Sequence, residues 1–596
     1  MNIKFTIPNS LEELKHFTKD LPAFSDIETD GLYTNTRLVQ LYQPLPSDGD
    51  EQVQNVYILD TDIIPLQDIK DFIKPLWTVW YNASYDFGTL NMTTDRFDDL
   101  FYLVRTAYPE FMEFNLDKTV DNMGLGKLYE GLDKKALQKQ GFVKGAYLSQ
   151  AQLRYSAIDV YALSLIWKNQ NIQNGRDILA YKVDILSMKY AIEYQQNGLL
   201  VDTEARDKKM IECQKAVDNL RPEFPDGFNP NSYKQVRAYL GIDKSDYDTL
   251  VKYAASDNPL ADKAGKLIQL KKSLKEISYL NSIQFPIMYT KFNVAGAITG
   301  RFTSSGGDLP NGFNAQQIPR AFQPLFKADT QLGTPENDEL VRTKGDMFKN
   351  GSVVVGLDYS TLELRIAAAI FGEVNMYNEL IKGEDLHTNM AILSTGKTLH
   401  PEKGILGSDY DTIKTGSADQ GKWITKTDRT LAKAINFGYV FGMSAATYQN
   451  YSYVSYGIKC TLEEAERLRN TYFNKYPFIK KYHQYVWNNY KKPGFTYQTA
   501  LGRRVKPKMG TDGINGPVQG SGGETTKLAV HYLIKDYPES IKFIYNVVHD
   551  AIYLRVPKDD ESLWTERLRF AMVKGWEEIS KTPLFKYKDI PMPVEV

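Results

Sequence analysis

Residues 352–372 read SVVVGLDYSTLELRIAAAIFG and join a β-branched apolar run to a segment with the composition of a helix. The valines at 353–355 predict a buried strand that delivers Asp358 to its exposed end. The alternative interpretation is an ordinary strand-to-helix turn in which Asp358 caps the helix. A second apolar stretch, FIYNVVHD at 543–550, also ends in an aspartate, Asp550.

If these two strands pair in one sheet, their two carboxylates face each other at close range. That placement is electrostatically costly unless a divalent cation lies between them. Two carboxylates on a rigid sheet are what a two-metal phosphoryl-transfer site requires. The two strands therefore predict a metal-dependent catalytic centre at the end of a β-sheet.

The composition is that of a globular protein and does not by itself indicate a partner. The chain has 596 residues, 42% hydrophobic and 24% charged, so we expect several domains. Its net charge of −1 gives no overall sign of nucleic-acid binding, so such a function depends on local patches. Two cysteines, Cys213 and Cys460, exclude a disulfide framework. Because the sequence shows no membrane-spanning stretch or secretion signal, we expect a soluble intracellular protein.

Three short motifs near the N-terminus contain acidic residues at regular spacings. Asp26 and Glu28 are two residues apart in a predicted strand, so both side chains share one face. Asp86 ends an N-x-x-x-D spacing, and Asp159 follows Tyr155 by four residues, which places each pair on one side of a helix. Taken singly, each of these is explained by an ordinary acidic residue at the surface.

The order D-x-E, N-x-x-x-D and Y-x-x-x-D resembles the three motifs of the DEDDy proofreading exonucleases, which have a ribonuclease H-like α/β fold. The resemblance implies that four carboxylates hold two Mg²⁺ or Mn²⁺ ions and that Tyr155 orients the attacking water on a 3′-terminal phosphodiester. The implied metal ligands are Asp26, Glu28, Asp86 and Asp159. All the motif positions are filled, so we expect an active 3′→5′ exonuclease.

The segment RTLAKAINFGYVFGMS at 429–444 has a cationic or aromatic side chain every four residues. In a helix, side chains at this spacing lie close to one face. The repeat consists of Arg429, Lys433, Phe437 and Phe441. Two cations on that face can neutralise a triphosphate, and two rings can stack on a base pair. An amphipathic helix with a mixed face is the alternative interpretation.

Together with DYSTLELR, GEDLHTNMA and VVHDAI, this segment resembles the motifs of family A DNA polymerases. These are right-hand polymerases with a helical thumb, helical fingers and an antiparallel β-sheet palm. The resemblance implies that Asp358 and Asp550 bind two Mg²⁺ or Mn²⁺ ions and that the Tyr359 carbonyl completes the shell. It also implies that Glu363 is the steric gate, because a carboxylate at the sugar C2′ disfavours a 2′-hydroxyl.

The same resemblance assigns the nucleotide and DNA contacts. His387 is implied to contact the incoming dNTP, while Arg429 and Lys433 stabilise charge on the pyrophosphate. The loops AITGRFTSSGG and NAQQIPR, and the basic patch LGRRVKPK, match family stretches that contact the duplex in the minor groove and along phosphates. The implied DNA contacts are Arg301, Asn314, Gln316, Arg503, Arg504, Asn515, Gln519 and His549.

Four features depart from the family pattern. Phe441 stands where tyrosine is common, which implies altered fidelity, and Phe437 in place of tyrosine implies discrimination against dideoxynucleotides. Ala551 removes the third carboxylate of the usual H-D-E motif, but two aspartates suffice for two bridging metals, so we expect activity to survive. The segment 394–423 is longer than the family pattern and predicts a mobile surface loop. A tolerated insertion and a contact with a partner or with downstream template remain alternatives for it.

Residues 176–290 predict long helices, and LIQLKKSLKEISYL at 267–280 interleaves apolar residues with Lys271, Lys272 and Lys275. These lysines fit a solvated helix face as well as phosphate contact. The position resembles the polymerase thumb. No spare length is present for the insertion that recruits a processivity factor in some phage members, so we expect no thioredoxin-type partner there.

The resemblance extends over essentially the whole chain and implies a multidomain α/β and α+β protein. The implied domains are an exonuclease domain at 1–175, a thumb at 176–290, a palm at 291–372 and 495–596, and fingers at 373–494. The implied function is template-directed extension of primers with dNTPs, with proofreading, for a phage or similar element. The implied location is the cytoplasm of a bacterium or of a bacterial host. A single-subunit RNA polymerase and a polymerase-derived DNA-binding protein with exonuclease activity only are the alternatives. We expect a monomer that binds primer-template DNA and dNTPs, with a helicase or single-strand-binding protein as further candidate partners.

Overall fold

The structure is a computed structural model that describes residues 3–31, 35–44, 54–111, 113–255, 259–307, 309, 311–327 and 351–595. Its N-terminal part is built on a six-stranded mixed β-sheet. The strands are β1 (Ile3–Thr6), β2 (Ala23–Thr29), β3 (Thr36–Tyr42), β4 (Gln54–Asp60), β5 (Trp77–Trp80) and β6 (Arg96–Asp99). Their order is β1-β4-β3-β2-β5-β6, and β3 is antiparallel to both of its neighbours.

Helices pack around this sheet in an α/β arrangement. They are α1 (Leu66–Ile73), α2 (Ala83–Leu90), α3 (Leu100–Ala107), α4 (Leu116–Asn122), α5 (Lys134–Gln140), α6 (Gln150–Trp167) and α7 (Gln170–Gly175). The longest of them, α6, begins at a capping box in which Ser149 and Gln152 satisfy each other's backbone N–H groups. It packs across β1 to β4 and is buried along most of its length.

The next part of the chain is mostly helical, as the sequence predicts. Its elements are α8 (Leu179–Tyr194), β7 (Leu199–Val201), α9 (Thr203–Leu220), α10 (Tyr233–Leu240), α11 (Tyr247–Ala255) and α12 (Ala261–Ser282). A separate small core between α9, α10, α11 and α12 includes Phe224, Leu250 and Leu267. On α12, Lys272 and Lys275 are exposed, so the solvated face and the phosphate contact both remain open.

Short strands connect this helical part to the C-terminal half. They are β8 (Ile287–Met288), β9 (Lys291–Asn293), β10 (Thr303–Ser305) and β11 (Phe326–Lys327). Strands β9 and β10 pair with each other, while β7 lies between β8 and β11 in a three-stranded sheet. The 3₁₀ helices of the described residues are Leu11–Leu14, Gly126–Tyr129, Gln195–Asn197, Arg221–Glu223, Ala315–Gln317, Arg320–Leu325, Pro538–Lys542 and Lys558–Asp560.

The C-terminal half contains a four-stranded antiparallel sheet and ten helices among the described residues. In chain order the elements are β12 (Ser352–Tyr359), α13 (Leu362–Phe371), α14 (Val374–Ile381), α15 (Leu386–Thr395), α16 (Tyr410–Ile413), α17 (Lys426–Val440), α18 (Ala445–Tyr456), α19 (Leu462–Lys475), α20 (Pro477–Asn489), β13 (Tyr497–Gln498), β14 (Arg504–Val505), α21 (Gly510–Asp536), β15 (Ile544–Val548), β16 (Ala551–Pro557), α22 (Glu561–Ser580) and β17 (Val594–Glu595). Within the described residues, no helix is both long enough and apolar enough to cross a membrane.

The four-stranded sheet has the order β15-β16-β12-β17, and all of its pairings are antiparallel. The predicted strands at 353–358 and 543–550 therefore lie in one sheet but do not pair directly with each other. Strand β16 lies between them because the chain turns back at His549 and Asp550. A two-residue hairpin turn brings the second aspartate back toward β12, and this is how the two carboxylates become neighbours.

The long helix α21 is joined to the N-terminal half by a buried ion network. Asp184 on α8 accepts a hydrogen bond of 2.6 Å from Lys527 Nζ on α21 and another hydrogen bond from Arg503 Nη2. Lys527 Nζ also donates to the Gly300 carbonyl at 2.6 Å. All three side chains are at most 1% exposed. Burial opposes ionisation of Asp184, but the two cations outweigh it and hold the pKa of Asp184 below its usual range.

We expect Asp184→Ala to destabilise the protein by about 3–5 kcal/mol, because it leaves two buried cations without their anionic partner. Thermal melting or denaturant unfolding of the full chain measures the loss. Asp177→Ala is the matched control, since Asp177 lies on the preceding loop and is 91% exposed. Equal stability of the two variants would contradict the structural role of the network.

Candidate functional site

Two aspartates meet at the end of the four-stranded sheet. Ile552 on β16 is opposite Leu357 on β12, and continuing this register places Asp358 opposite Ala551, next to Asp550 in the hairpin turn. Reduced solvation and the neighbouring charge of Asp550 raise the pKa of Asp358 to about 6. The two carboxylates therefore repel each other where they stand, as the sequence predicts for a pair that shares a cation.

A third carboxylate lies beside this pair and was not found from the sequence. On its other edge, β12 pairs with β17, and Asp358 is opposite Glu595 in the register. The charge of Glu595 contributes to the raised pKa of Asp358. A two-residue strand near the end of the chain carries no pattern that would reveal this pairing. Ala551 leaves the aspartate pair without an acidic neighbour in β16, and Glu595 supplies one from β17.

The predicted steric gate is held by two predicted DNA contacts. Arg301 Nη1 donates a hydrogen bond to Gln519 Oε1 and lies 3.6 Å from Glu363 Oε1. Gln519 Nε2 in turn donates to Glu363 Oε1 at 3.3 Å. Burial raises the pKa of Glu363, and the Arg301 charge opposes this shift. Residues that are far apart in the chain thus form one hydrogen-bonded group beside Asp550.

Helix α17 presents the predicted cations and rings as a partly exposed face. Lys433 is exposed, and its Nζ lies 5.9 Å from the Phe437 ring centre. Arg429 Nε donates a hydrogen bond of 2.6 Å to Asp385, a residue that the sequence analysis did not select. Asp385 also caps α15, and a D-L-H sequence before a helix is a recognisable capping signal. Phe441 ends the helix and is partly buried.

His387 is placed differently from the expectation that it contacts the nucleotide directly. It is only 3% exposed, and its Nδ1 lies 2.9 Å from Asn436 Nδ2. Phe437 covers it, with the two ring centres 5.7 Å apart. Burial lowers the pKa of His387 to about 4, so the imidazole is neutral at neutral pH. In this conformation the ring packs beneath α17. Its contact with the nucleotide stays a prediction.

The predicted DNA contacts divide into accessible and buried groups. Arg504 is exposed, and Gln316 Nε2 donates to the Val547 carbonyl of β15 at 2.9 Å. Asn314 caps the 3₁₀ helix that begins at Ala315. The remaining predicted positions are Asn515, which is partly buried with no hydrogen-bond partner for Oδ1 among the described residues, and His549, which is exposed in the hairpin turn with φ 55°. Their contacts with DNA stay predictions.

The prediction that Arg503 contacts phosphate is wrong. Its side chain is 1% exposed and forms the ion pair with Asp184 that joins the two halves of the chain. The basic patch LGRRVKPK does not reveal which of its cations points inward, because that choice depends on a carboxylate more than 300 residues away. Arg503 instead supports the loop that carries Arg301, since a Cβ atom on Gly300 would lie 2.5 Å from Arg503 Nε.

The segment 394–423 is attached to neighbouring residues at both of its ends, and its mobility stays a prediction. Lys397 Nζ lies 2.8 Å from Asp411 and 2.9 Å from Asp428, a residue in the capping box of α17. Backbone bridges also tie Thr398 to Trp423. The segment is thus fixed to the base of the cation-bearing helix.

A second carboxylate group lies in the N-terminal sheet. Oxygen atoms of Asp26, Glu28 and Asp159 all lie within 4.8 Å of one another. Asp26 and Glu28 come from β2, the strand between β3 and β5, and Asp159 comes from α6. Burial and the mutual repulsion of these groups raise the pKa of Asp26 to about 8 and that of Glu28 well above its usual range. The sequence prediction that these carboxylates converge is confirmed.

The fourth predicted ligand, Asp86, belongs to the same group. Burial and then the charge of Asp26 raise the pKa of Asp86 well above its usual range. Its helix α2 starts where Asp99 accepts hydrogen bonds from the N–H groups of Asn82 and Ala83, at 3.0 and 2.8 Å. Oδ1 of Asp86 is buried without a hydrogen-bond partner among the described residues, and so is Oε1 of Glu28. Unsatisfied buried carboxylate oxygens in a tight group fit divalent cations, which prefer oxygen ligands.

Two tyrosines support Asp159. Tyr155, the residue predicted from the sequence, accepts a hydrogen bond of 3.1 Å from Gln138 on α5 and is hydrogen-bonded to Asp159. Tyr129 was missed, yet its hydroxyl donates a hydrogen bond of 2.5 Å to Asp159 Oδ1. Lys134 Nζ lies 3.3 Å from the centre of the Tyr129 ring. A single tyrosine in a 3₁₀ turn has no spacing signal that would have identified it.

An antiparallel sheet with paired aspartates and a cation-bearing helix are the features expected of a nucleic-acid polymerase. Comparison with known proteins specifies the class. A sequence profile described as DNA polymerase family A matches residues 204–403 and 414–596. The chain belongs to DNA polymerase family A, which confirms that resemblance. The resemblance to the proofreading exonucleases stays a prediction.

Individual relatives support this membership at low identity. A DNA polymerase I of Aquifex aeolicus is 26% identical and aligns with 96% of this chain and 94% of its own length. A DNA polymerase I of Streptococcus pneumoniae is 24% identical over 65% of this chain and 43% of its own length. A solved structure of the POL domain of Pol1 from M. smegmatis, in complex with DNA primer-template and dNTP, covers 98% of this chain and 96% of its own. Its TM-score is 0.68 and its identity is 18%, which shows the shared fold.

The N-terminal carboxylates predict a pH dependence of stability when divalent cations are removed. Their raised pKa values mean that the folded state holds protons that the unfolded state has released above about pH 4. The melting temperature in EDTA should therefore fall as pH rises from about 4 to about 8, the folded-state pKa of Asp26. Asp26→Asn should flatten this fall and raise the melting temperature at pH 8 by at least about 3 °C. A variant that melts with an unchanged pH profile contradicts the repulsion.

Proposed function

We propose that this family A protein is a template-directed DNA polymerase that extends primer 3′ ends with dNTPs and proofreads through a 3′→5′ exonuclease. The observation that carries the polymerase proposal is the convergence of Asp358 and Asp550 at the end of the antiparallel sheet. The convergence of Asp26, Glu28 and Asp159 in the N-terminal sheet carries the exonuclease proposal. We also propose, from the resemblance to phage members of the family, a replicative role in a phage or similar element.

In the polymerase reaction, the primer 3′-hydroxyl attacks the α-phosphate of the dNTP in line and pyrophosphate leaves. Asp358 and Asp550 would hold two Mg²⁺ or Mn²⁺ ions, which activate the attacking oxygen and neutralise the leaving one. The repulsion between the two carboxylates is unfavourable without a cation. Binding a cation between them relieves it. Lys433, exposed on α17, stabilises charge on the triphosphate. Arg429 joins it after exchanging its Asp385 partner for the phosphate.

Selection of the sugar depends on Glu363. Arg301 and Gln519 fix one of its carboxylate oxygens, so the side chain cannot easily rotate away from a 2′-hydroxyl. Arg301 is the residue that the resemblance assigns to the minor groove at the primer terminus. Its hydrogen bond to Gln519 would link that contact to Glu363, which selects the sugar. Phe437 lacks a hydroxyl for the 3′ side of the sugar, which supports discrimination against dideoxynucleotides.

In the exonuclease, the four carboxylates would hold two Mg²⁺ or Mn²⁺ ions that lower the pKa of the attacking water and stabilise the leaving oxygen. Tyr155 orients the water, and its own hydroxyl is positioned by Gln138 and Asp159. Tyr129 fixes Asp159 from the other side through its 2.5 Å hydrogen bond. Asp26, Glu28 and Asp86 approach from a strand and a second helix, so the group is assembled from three separate elements.

The two activities should be separable by single substitutions. Asp358→Ala should reduce primer extension in Mg²⁺ by at least about 100-fold, because it removes a metal ligand, and leave degradation of single-stranded DNA intact. Asp26→Ala should have the opposite effect. Primer extension by the purified Asp358→Ala variant at the wild-type rate would contradict the polymerase assignment. Degradation of single-stranded DNA by the Asp26→Ala variant at the wild-type rate would contradict the exonuclease assignment.

Glu363→Ala should admit ribonucleotides by removing the carboxylate that crowds the 2′-hydroxyl. The ratio of kcat/KM for dNTP to that for rNTP should fall by at least about ten-fold, with dNTP extension retained. Glu379→Ala is the control, since Glu379 pairs with Lys475 away from the aspartate pair. A wild-type chain that prefers rNTPs would establish the RNA polymerase alternative, and an unchanged ratio in Glu363→Ala would exclude the gate.

A further inference from the structure

One buried cation of the N-terminal half belongs to neither carboxylate site. Arg105 on α3 is 9% exposed, and it forms no ion pair within the part of the chain that the structure describes. Its Cζ atom lies 5.4 and 5.5 Å from the ring centres of Phe101 and Phe114. Burying a charge is costly unless polar groups replace the water that it loses. The polar partners of Arg105 therefore indicate its role.

These partners are two backbone carbonyls of a loop in the other half of the chain. Arg105 Nη1 donates a hydrogen bond to the Ala295 carbonyl, and Nη2 donates to the Ala297 carbonyl at 2.8 Å. The two carbonyls lie 190 and 192 residues further along the chain. Because the guanidinium is planar and its donors are fixed relative to one another, the two bonds set both the position and the orientation of the loop.

The loop leads directly into the turn that carries Arg301. In this turn, at 297–301, the Gly300 N–H donates to the Ala297 carbonyl at 2.9 Å, and the Ala297 N–H donates to the Arg301 carbonyl at 3.4 Å. The Ala297 carbonyl thus accepts one hydrogen bond from Arg105 and another from within the turn. Arg105 and Arg301 are therefore connected through a single residue.

The opposite end of the turn is held independently of Arg105. Lys527 Nζ donates to the Gly300 carbonyl at 2.6 Å, whereas Arg105 holds the turn at Ala297. Loss of the Arg105 guanidinium would release one end of the turn and leave the other end in place. We therefore expect such a change to shift Arg301 without unfolding the loop.

Helix α3 gives Arg105 a fixed base. Asp99 caps α3 by accepting a hydrogen bond of 2.8 Å from the Phe101 N–H. The same carboxylate accepts a hydrogen bond of 2.8 Å from the Ala83 N–H at the start of α2, the helix that carries Asp86. A substitution of Arg105 removes neither of these bonds, so it should leave the N-terminal carboxylate group in place.

We infer that Arg105, a residue of the N-terminal half, is a positioning residue of the polymerase site that acts through the turn at 297–301. The inference rests on the proposed polymerase function. Arg301 Nη1 donates to Gln519 and lies 3.6 Å from Glu363 Oε1, so the position of the turn sets the position of this hydrogen-bonded group. The N-terminal half thereby contributes to primer extension through a structural contact that is separate from its carboxylate site.

The test measures steady-state primer extension by a parent chain that carries Asp26→Ala, so that primer degradation does not obscure the rate. Arg105→Met keeps an apolar side chain of similar length and removes both hydrogen bonds. It should lower kcat by about ten-fold and change KM for dNTP by less than about two-fold, because a misplaced primer terminus affects the chemical step more than nucleotide binding. Arg176→Met is the matched control and should keep the parent kcat, since Arg176 pairs with Asp98 within the N-terminal half.

A double-mutant cycle separates positioning through Arg301 from a general loss of packing. In a chain that also carries Arg301→Ala, Arg105→Met should lower kcat by less than about two-fold, because the residue through which Arg105 acts is already absent. A general loss of packing would lower kcat by the same factor in both backgrounds.

Arg105→Lys provides a second variant, which keeps the charge and the test valid if Arg105→Met is unstable. Lysine keeps the charge but lacks the planar pair of donors, so the loss of kcat should be smaller and should again disappear with Arg301→Ala. Circular dichroism and thermal melting show whether each variant is folded.

Three outcomes overturn the inference. The first is a kcat equal to that of the parent in folded Arg105→Met and Arg105→Lys chains. The second is a loss of kcat by the same factor with and without Arg301→Ala. The third is an effect of Arg105→Met, in a chain with Asp26 intact, on degradation of single-stranded DNA alone. Absence of primer extension by the wild-type and parent chains contradicts the proposed function instead, so the two failures are distinguishable.

Discussion

The buried contact of Asp184 with Arg503 and Lys527 is the interaction on which the rest of this structure depends. It joins a helix that follows the N-terminal sheet to the hairpin and the long helix of the C-terminal half. Lys527 also holds the Gly300 carbonyl, so the same network positions the loop that carries Arg301. A buried charge without its partner costs several kcal/mol. Arrangements of the network that leave one of the three charges unpaired are therefore strongly disfavoured.

Both candidate sites use the opposite electrostatic principle. Asp358 with Asp550, and Asp26 with Glu28 and Asp159, are groups of like charge held on rigid strands and helices. Their raised pKa values record the cost of that crowding in the absence of a cation. The crowded carboxylates therefore destabilise the fold at the two candidate metal sites. Paired contacts such as that of Asp184 stabilise it. Strand register sets the aspartate pair, whereas the positions of β2, α2 and α6 set the N-terminal group.

Much of the candidate site was predictable because motifs report chemistry locally. The D-x-E strand and the Y-x-x-x-D helix have the periodicity that puts their side chains on one face, and the structure brings them together. Glu595 and Tyr129 were not predictable, since each reaches its aspartate through a pairing or a turn that has no sequence pattern. For Arg503 the sequence was misleading. Its basic motif suggested a contact at the surface, but the side chain is buried as the partner of Asp184.

The sequence by itself determined the family, the identity of the carboxylates and the helix that carries Arg429 and Lys433, because these follow from residue type and spacing along the chain. Only the tertiary structure decided which strand lies beside Asp358, which cations stay exposed and which residues hold Glu363 in place. Those features depend on contacts between segments sixty or more residues apart. Local periodicity cannot encode them, since each partner is chosen by burial and charge in the folded chain.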